Sequence, residues 1–255
     1  MVLTDLVINP FGAHLADMLA VAKAADLADV GAVWVSDHFS GNVVDAPWSR
    51  DPFVCLGAIA AVTEHVDLGV LVANVTNRHA VQLASGINSL QSLAPGRVRL
   101  GIGSGAAPDS RFSAEHDMVG KQLGDLATRQ AMLIDTIGQL RRIWSADGFD
   151  AVTDGAPMPP VIVGASSWAT IEVAIELSDG VNIRRTGRLA DQLERLAAAD
   201  LPDGFEVSVL DFFAPGDDLG VRRSDLIEAG VDRHIVTMWP GRDLGAVQRL
   251  AARIV

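Results

Sequence analysis

The sequence is poor in basic residues, in aromatic residues and in long apolar runs. Its 255 residues include 20 lysines and arginines against 32 aspartates and glutamates, so the formal charge is -12 at pH 7. Nucleic acids and anionic membranes are therefore poor partners, because both bind basic surfaces. A small anionic ligand stays possible, since a local site can be positive within an acidic protein. No apolar run in the sequence approaches the ~20 residues that span a bilayer.

Cysteine is also scarce, because Cys55 is the single cysteine of the chain and an intrachain disulfide is excluded. It lies in the apolar run Phe53-Val54-Cys55-Leu56, where a small buried hydrophobic residue is a better interpretation than a nucleophile. The N-terminus lacks the basic segment and long apolar stretch of a secretory signal. We therefore expect a soluble, cytoplasmic protein.

Short apolar strands alternate with helical patterns along the whole chain. Eight strands are predicted at residues 3–8, 32–36, 66–73, 98–102, 161–164, 181–183, 206–213 and 234–238. Eight helices are predicted at residues 14–30, 51–62, 83–93, 119–144, 168–177, 189–199, 223–229 and 243–254. Continuously apolar strands are typical of parallel strands that are buried on both faces. This α/β pattern predicts one domain over residues 1–255, a closed (β/α)8 TIM barrel, with an open doubly wound sheet as the alternative.

Polar residues collect where the predicted strands end, which is the catalytic rim of such a barrel. Asp37 and His38 follow strand two, and Arg78 and His79 follow strand three at a helix start. His38 can donate to a carbonyl or ring nitrogen, or act as a general acid or base near neutral pH. The alternative is a histidine that only ties down its loop. Metal binding is disfavoured because no companion ligands lie at metal spacing, and we expect Arg78 and His79 to anchor the loop.

Glycines mark the end of strand four, where Gly101-Ile-Gly-Ser-Gly-Ala106 formally satisfies the dinucleotide fingerprint. The context disfavours that function, because the fingerprint opens a helix directly and here the helix starts much later. A glycine-rich strand end lets a flat ring approach the backbone, which favours a cofactor contact. Close packing at the barrel mouth is the alternative.

Further candidates follow strands two, five and six. The run Gly164-Ala-Ser-Ser167 places free N–H groups and hydroxyls at a helix start, which suits either a phosphate or plain capping. Arg184, Arg185 and Arg188 could bind an anionic substrate or form a solvated loop. Trp48 could cover a flat ligand or pack against the barrel edge.

Taken together, these pieces resemble the bacterial luciferase-like flavin and deazaflavin oxidoreductase family, and the Trp34-Val-Ser-Asp-His-Phe39 form resembles its F420-dependent branch. The matching segments are residues 33–39, 68–74 with 78–79, 94–105 and 160–166. The resemblance implies a luciferase-like (β/α)8 barrel that binds coenzyme F420, a 5-deazaflavin, or alternatively FMN. It also implies a homodimer that acts on a small-molecule substrate.

The resemblance assigns roles to individual residues. His38 would be catalytic and Asp37 would meet the cofactor, while a cis peptide bond at Leu71–Val72 would back the ring. The cofactor-binding residues that it implies are Asp37, Leu71, Val72, Ala73, Asn74, Gly103, Ser104, Gly105, Ala165, Ser166 and Ser167. No metal ligand is implied.

Several positions depart from the family pattern. Ala106 stands where some deazaflavin members carry a glutamate, Asn42 replaces a tryptophan, Val75 and Ala80 replace prolines, and insertion loops are shortened. The leading prediction is an oxidoreductase that transfers a hydride between F420 and an alcohol or an activated double bond. The alternatives are an FMN-dependent monooxygenase of the same fold and a deazaflavin-binding protein without catalysis.

Overall fold

Eight parallel strands follow one another around a closed barrel in chain order, and the last strand pairs with the first. The computed structural model describes residues 2–28, 30–145, 150–214 and 217–238. The strands are β1 (Leu3–Val7), β2 (Ala32–Val35), β3 (Asp67–Asn74), β4 (Val98–Gly103), β5 (Val161–Ala165), β6 (Gly180–Arg184), β7 (Glu206–Phe213) and β8 (Arg233–Met238). The predicted (β/α)8 barrel is confirmed, and the open sheet is excluded because β1 pairs with both β2 and β8.

Helices connect the strands at most of the predicted places. They are α1 (Leu15–Leu27), α2 (Pro52–Ala60), α3 (Ala80–Leu93), α4 (Ala114–Asp117), α5 (Leu126–Ser145), α6 (Asp150–Thr153), α7 (Trp168–Leu177), α8 (Leu189–Ala197) and α9 (Leu219–Glu228). Short 3-10 turns lie at Gly41–Val44 and Arg111–Ser113. The helix predicted for residues 243–254 lies outside the described residues.

Two predicted helix starts are wrong, and a side-chain cap explains each. The helix predicted from residue 119 begins at Leu126, because the Asp125 carboxylate accepts the backbone N–H of Thr128 at 2.9 Å. The helix predicted from residue 223 begins at Leu219, because the Asp218 carboxylate accepts the backbone N–H of Val221 at 3.1 Å. The chain between β4 and α5 therefore contains α4, which contributes to the candidate site.

A tryptophan fills the centre of the barrel. Trp34 is fully buried and packs with apolar residues that point inward from other strands, including Val7 and Ile235. Gly69 makes the room for it, since a Cβ atom there would lie 2.4 Å from the Trp34 ring. A second and larger apolar layer lies between the strands and the helices and contains Cys55, which is buried as predicted.

Below Trp34, a buried ion network closes the N-terminal end of the barrel. Arg233 contacts Asp5 at 3.0 Å and Glu206 at 2.7 Å, and Glu206 also binds Arg99 at 2.7 Å. The Trp34 indole N–H donates to the Asp5 carboxylate at 2.9 Å. Burial raises the pKa of Asp5 to about 6, although Arg233 and Trp34 oppose the rise. This end of the barrel contributes to stability and leaves the opposite rim for chemistry.

No helix in the described part of the chain is both long enough and apolar enough to cross a membrane.

We expect the Trp34 indole N–H resonance to shift as the pH falls through about 6, because protonation of Asp5 changes the acceptor of its hydrogen bond. Because the pKa of Asp5 is raised in the folded state, the protonated Asp5 side chain contributes to stability at low pH. This contribution is lost as the pH rises through about 6. Two-dimensional NMR resolves this indole signal from those of the other tryptophans.

In Asp5→Asn the titration of the Trp34 signal should disappear. In the parent protein, loss of the Asp5 proton lowers the free energy of unfolding between about pH 4.5 and pH 7. In Asp5→Asn this decrease should be smaller, by on the order of 1–2 kcal/mol. Asp109→Asn, at an exposed position, is the matched control and should keep the titration. A Trp34 signal that stays constant from about pH 4.5 to 7 in the parent protein would contradict the raised pKa.

Candidate active site

A cavity of about 420 Å³ opens at the C-terminal ends of the strands. Most of the predicted site residues line it, namely Asp37, His38, Leu71, Val72, Asn74, Gly103, Ser104, Gly105, Ala165 and Ser166. The other two predicted residues, Ala73 and Ser167, do not line it. Ala73 is fully buried in the apolar core, and the Ser167 hydroxyl caps α7 by accepting the backbone N–H of Thr170. The structure therefore brings together side chains from strands that are distant in sequence.

The wall between β3 and β5 is built around Val72. The Leu71–Val72 peptide bond is cis, as the family resemblance implies, and the register of β3 against β4 shifts between Val70 and Ala73. A Cβ atom at Gly103 would lie 2.7 Å from a Val72 methyl group, and one at Gly164 would lie 2.8 Å from the other. Both glycines thus make room for Val72, so close packing explains them without a cofactor contact.

Asp37 is held entirely by protein donors. Its two carboxylate oxygens each lie 2.8 Å from Arg78, and one of them also accepts the backbone N–H of Asn74 at 3.0 Å. Arg78 in turn binds Asp51, which caps the start of α2. Arg78 therefore anchors the rim as predicted, and Asp37 fixes the end of β2 to the irregular part of β3.

His38 is oriented by a carboxylate on one side and by aromatic rings on its faces. Its Nδ1 atom lies 3.3 Å from both carboxylate oxygens of Glu115. The imidazole stacks on Phe112, with the ring centroids 5.5 Å apart, and makes a tilted contact with Phe11 at 5.5 Å. Because a carboxylate only accepts hydrogen bonds, the proton is assigned to Nδ1, which leaves the Nε2 lone pair available to a ligand in the cavity.

Glu115, which sequence reasoning missed, lies on α4 and reaches back across the rim. It is 6% exposed and also accepts the backbone N–H of Phe39 at 2.9 Å and the Asn77 amide at 2.8 Å. Burial raises the pKa of Glu115, but the hydrogen bonds and the attraction of His38 outweigh it and hold the pKa below its ordinary value. The carboxylate is therefore ionised at neutral pH.

The sequence contains a weak signal for Glu115. The loop after the glycine run is long, and long loops in barrels often carry functional residues. No spacing or periodicity separates Glu115 from Asp109 or Asp117 in that loop. The resemblance directed attention to Ala106, where a glutamate is missing, although the carboxylate that meets His38 comes from farther along the chain.

Arg129 is a second residue that sequence reasoning missed. It lies on α5, is 6% exposed and lines the same cavity as Ser166 and Thr170 at the start of α7. One guanidinium nitrogen donates to the Gly124 carbonyl at 2.8 Å, while Nε has no hydrogen-bond partner in the described part of the chain. A buried guanidinium N–H beside a helix N-terminus suits a phosphate or a carboxylate.

The remaining candidates are Trp48 and the three arginines at or after the end of β6. Arg184 lines the cavity mouth, Arg185 pairs with Asp211 at 2.7 Å, and Arg188 is exposed. Trp48 lies beside His14 and Arg50. It therefore packs against the barrel edge, the alternative to covering a ligand.

Two further histidines are buried and have structural contacts. His116 and His234 are buried structural residues, since His116 contacts Thr76 and His234 contacts Asp211. Among the described residues, no group of three or more His, Cys, Asp or Glu side chains is arranged to hold a metal ion.

Comparisons with known proteins identify the family to which this chain belongs. Residues 5–242 match the family model described as Luciferase-like monooxygenase. An F420-dependent glucose-6-phosphate dehydrogenase from Amycolatopsis mediterranei (strain U-32) is 30% identical over 182 residues, which are 69% of this chain and 51% of that protein. A 5,10-methylenetetrahydromethanopterin reductase from Methanolobus tindarius is 29% identical over 199 residues, which are 74% of this chain and 52% of that protein. This chain thus spans about half the length of these relatives.

The fold has close counterparts among solved structures. An F420-dependent secondary alcohol dehydrogenase in complex with an F420-acetone adduct superimposes with a TM-score of 0.79, covering 100% of this chain and 98% of that chain. The sequence identity of that pair is 15%, so the likeness concerns the fold alone. Because the family model matches most of its length, this chain belongs to the luciferase-like monooxygenase family.

Proposed function

We propose that this chain is an F420-dependent oxidoreductase that transfers a hydride between the deazaflavin and a small organic substrate. The substrate would be an alcohol or a compound with an activated double bond. The observation that carries the proposal is the His38–Glu115 pair, which leaves one imidazole nitrogen available inside the rim cavity. The F420-dependent relatives support the choice of cofactor.

The residues around the cavity suit the cofactor in two ways. The buried Arg129 guanidinium has an unpaired N–H and shares the cavity with Ser166 at the start of α7, so the two would hold the cofactor's phosphate. Val72 and the neighbouring strand ends offer an apolar wall against which a flat ring would lie. When bound, F420 accepts or donates a hydride at C5 of its deazaflavin ring.

His38 supplies the proton chemistry in this proposal. In alcohol oxidation its Nε2 atom accepts the hydroxyl proton while the C–H hydrogen leaves with its electron pair and the carbonyl forms. In the reverse direction, or in reduction of a double bond, Nε2 returns the proton. Glu115 keeps Nδ1 protonated and stabilises the imidazolium that forms, which makes it a positioning residue for His38.

An FMN-dependent monooxygenase of the same fold is the second candidate. The matched family model is described as a monooxygenase, which favours this alternative. The two candidates differ in whether molecular oxygen is consumed. A deazaflavin-binding protein without catalysis is the third candidate, and its grounds are Ala106 and the shortened loops. Glu115 provides His38 with a carboxylate from another segment, which weakens the first of these grounds.

The choice of cofactor is tested by titrating the purified protein with F420 and, separately, with FMN while following fluorescence. We expect selective F420 binding at micromolar concentration or below. Arg129→Gln should weaken F420 binding about 10-fold or more, because it removes a charge-assisted contact to the phosphate. It should leave binding of the phosphate-free deazaflavin unchanged.

Arg142→Gln, an exposed arginine on the same helix, is the matched control and should bind F420 like the parent protein. Circular dichroism melting curves check that Arg129→Gln still folds. Selective FMN binding together with oxygen uptake would replace the proposal with the monooxygenase. Binding of neither cofactor would overturn both candidates.

The roles of His38 and Glu115 are tested with His38→Ala and Glu115→Gln. We expect turnover to fall about 100-fold or more in His38→Ala and about 10-fold or more in Glu115→Gln, because proton transfer in the transition state is lost or misdirected. The dissociation constant for F420 should change by less than about 3-fold in both variants. Glu176→Gln, at an exposed position on α7, is the charge-matched control.

A measurement on the cofactor-free protein separates positioning from a purely structural role. Nitrogen-15 NMR of the imidazole should show the Nδ1–H tautomer of His38 in the parent protein and a mixture of tautomers in Glu115→Gln. An unchanged tautomer in a folded Glu115→Gln variant, with unchanged turnover, would contradict the role of Glu115.

A further inference from the structure

Arg184 ends β6 at the mouth of the cavity and lies between two aromatic rings. Its Cζ atom is 5.7 Å from the centroid of Phe112 and 5.9 Å from the centroid of Phe212. All three side chains line the cavity. Cation–π contacts hold a guanidinium in a fixed orientation, but they leave its N–H donors unused.

The charge of Arg184 is not neutralised by a neighbouring acid. Within the described residues, no carboxylate lies at ion-pair distance from it, whereas the neighbouring arginines form ion pairs. Arg185 pairs with Asp211 at 2.7 Å, and Arg222 pairs with Asp211 at 2.6 Å and with Asp217 at 2.8 Å. Although the side chain is open to solvent at the mouth, the surrounding protein lowers the pKa of Arg184 by desolvation, and no acid in the described part of the chain offsets this effect.

The charged side chains that line the cavity are Asp37, Arg129 and Arg184, in a chain whose formal charge is -12. Asp37 is paired with Arg78, and Glu115 faces His38, whereas among the described residues no carboxylate lies at ion-pair distance from Arg129 or Arg184. Arginines that have no acidic partner at a cavity attract anionic ligands. Arg129 faces the start of α7, where the cofactor's phosphate belongs in the proposed function. Arg184 lies at the end of β6, and the proposed function gives it no ligand.

Phe112 links Arg184 to the proposed reaction centre. One ring contacts both groups, since its centroid lies 5.5 Å from the His38 ring centroid and 5.7 Å from Arg184 Cζ. A small molecule with an anionic group bound at Arg184 would therefore also reach His38, since both residues line the same cavity of about 420 Å³. This juxtaposition favours the substrate as the source of the anion over a remote part of the cofactor.

We propose that the substrate of this protein carries a carboxylate or phosphate that binds Arg184, with its reacting carbon beside His38. The inference rests on the proposed function, and it narrows the substrate class to small anionic alcohols, their carbonyl counterparts or unsaturated acids. Phe112 and Phe212 orient the guanidinium, and Arg184 determines specificity through a charge-assisted contact.

The probe for this site is inorganic phosphate, added to the protein saturated with F420 so that Arg129 is already occupied. The Nε–H resonance of Arg184, assigned by its loss in Arg184→Gln, should shift and saturate as phosphate is added. The dissociation constant for phosphate, read from the Phe112 ring resonances, should rise about 10-fold or more in Arg184→Gln. Arg188→Gln, an exposed arginine in the same loop, should bind phosphate like the parent protein.

Other outcomes overturn the proposal in distinguishable ways. If F420 itself shifts the Arg184 resonance, and Arg184→Gln weakens F420 binding as much as Arg129→Gln does, Arg184 binds the cofactor and the substrate assignment is wrong. If phosphate shifts Arg184 and Arg188 equally, the effect is general screening and no anion site exists. If F420 does not bind at all, the proposed function fails, and the same titration on the cofactor-free protein shows separately whether Arg184 binds an anion.

Discussion

The bidentate ion pair between Asp37 and Arg78 holds the rim of the barrel in place. Asp37 fixes the end of β2 to β3 by accepting the backbone N–H of Asn74, and Arg78 extends the link to Asp51 at the start of α2. One carboxylate–guanidinium contact thus joins two strand ends and a helix. Removal of Arg78 would leave the buried Asp37 carboxylate without its cation, which typically costs several kcal/mol. The residue next to Asp37 is His38, so its position follows from this contact.

Around that anchor, the loop between β4 and α5 completes the site. Phe112 stacks on the His38 ring, Glu115 faces its Nδ1 atom, and Glu115 also binds the backbone of Phe39. The loop is held in turn by His116 and Lys121, which both contact Thr76 after β3. A histidine held in this way has one defined tautomer and one free nitrogen, which are the properties that proton transfer requires.

The two ends of the barrel use charge differently. At the N-terminal end, Asp5, Glu206, Arg99 and Arg233 neutralise one another beneath Trp34. At the C-terminal rim, protein donors satisfy Asp37 and Glu115, whereas Arg129 and Arg184 line the cavity with no carboxylate at ion-pair distance among the described residues. The net charge of the chain therefore says nothing about the sign of its site, since the site depends on which charges are paired locally.

The sequence by itself determined the barrel. Its apolar segments predicted all eight described strands, because burial on both faces restricts such segments to apolar residues. The helix predicted from residue 51 is α2, which begins at Pro52 after the Asp51 cap. The resemblance located His38 and the cis bond at Leu71–Val72. Local pattern could not determine which loop carboxylate meets His38, since Glu115 lies 77 residues away along the chain. Only the tertiary structure decided that, among the described residues, Arg78 and Arg185 have a carboxylate at ion-pair distance while Arg129 and Arg184 do not, because pairing depends on distances in space.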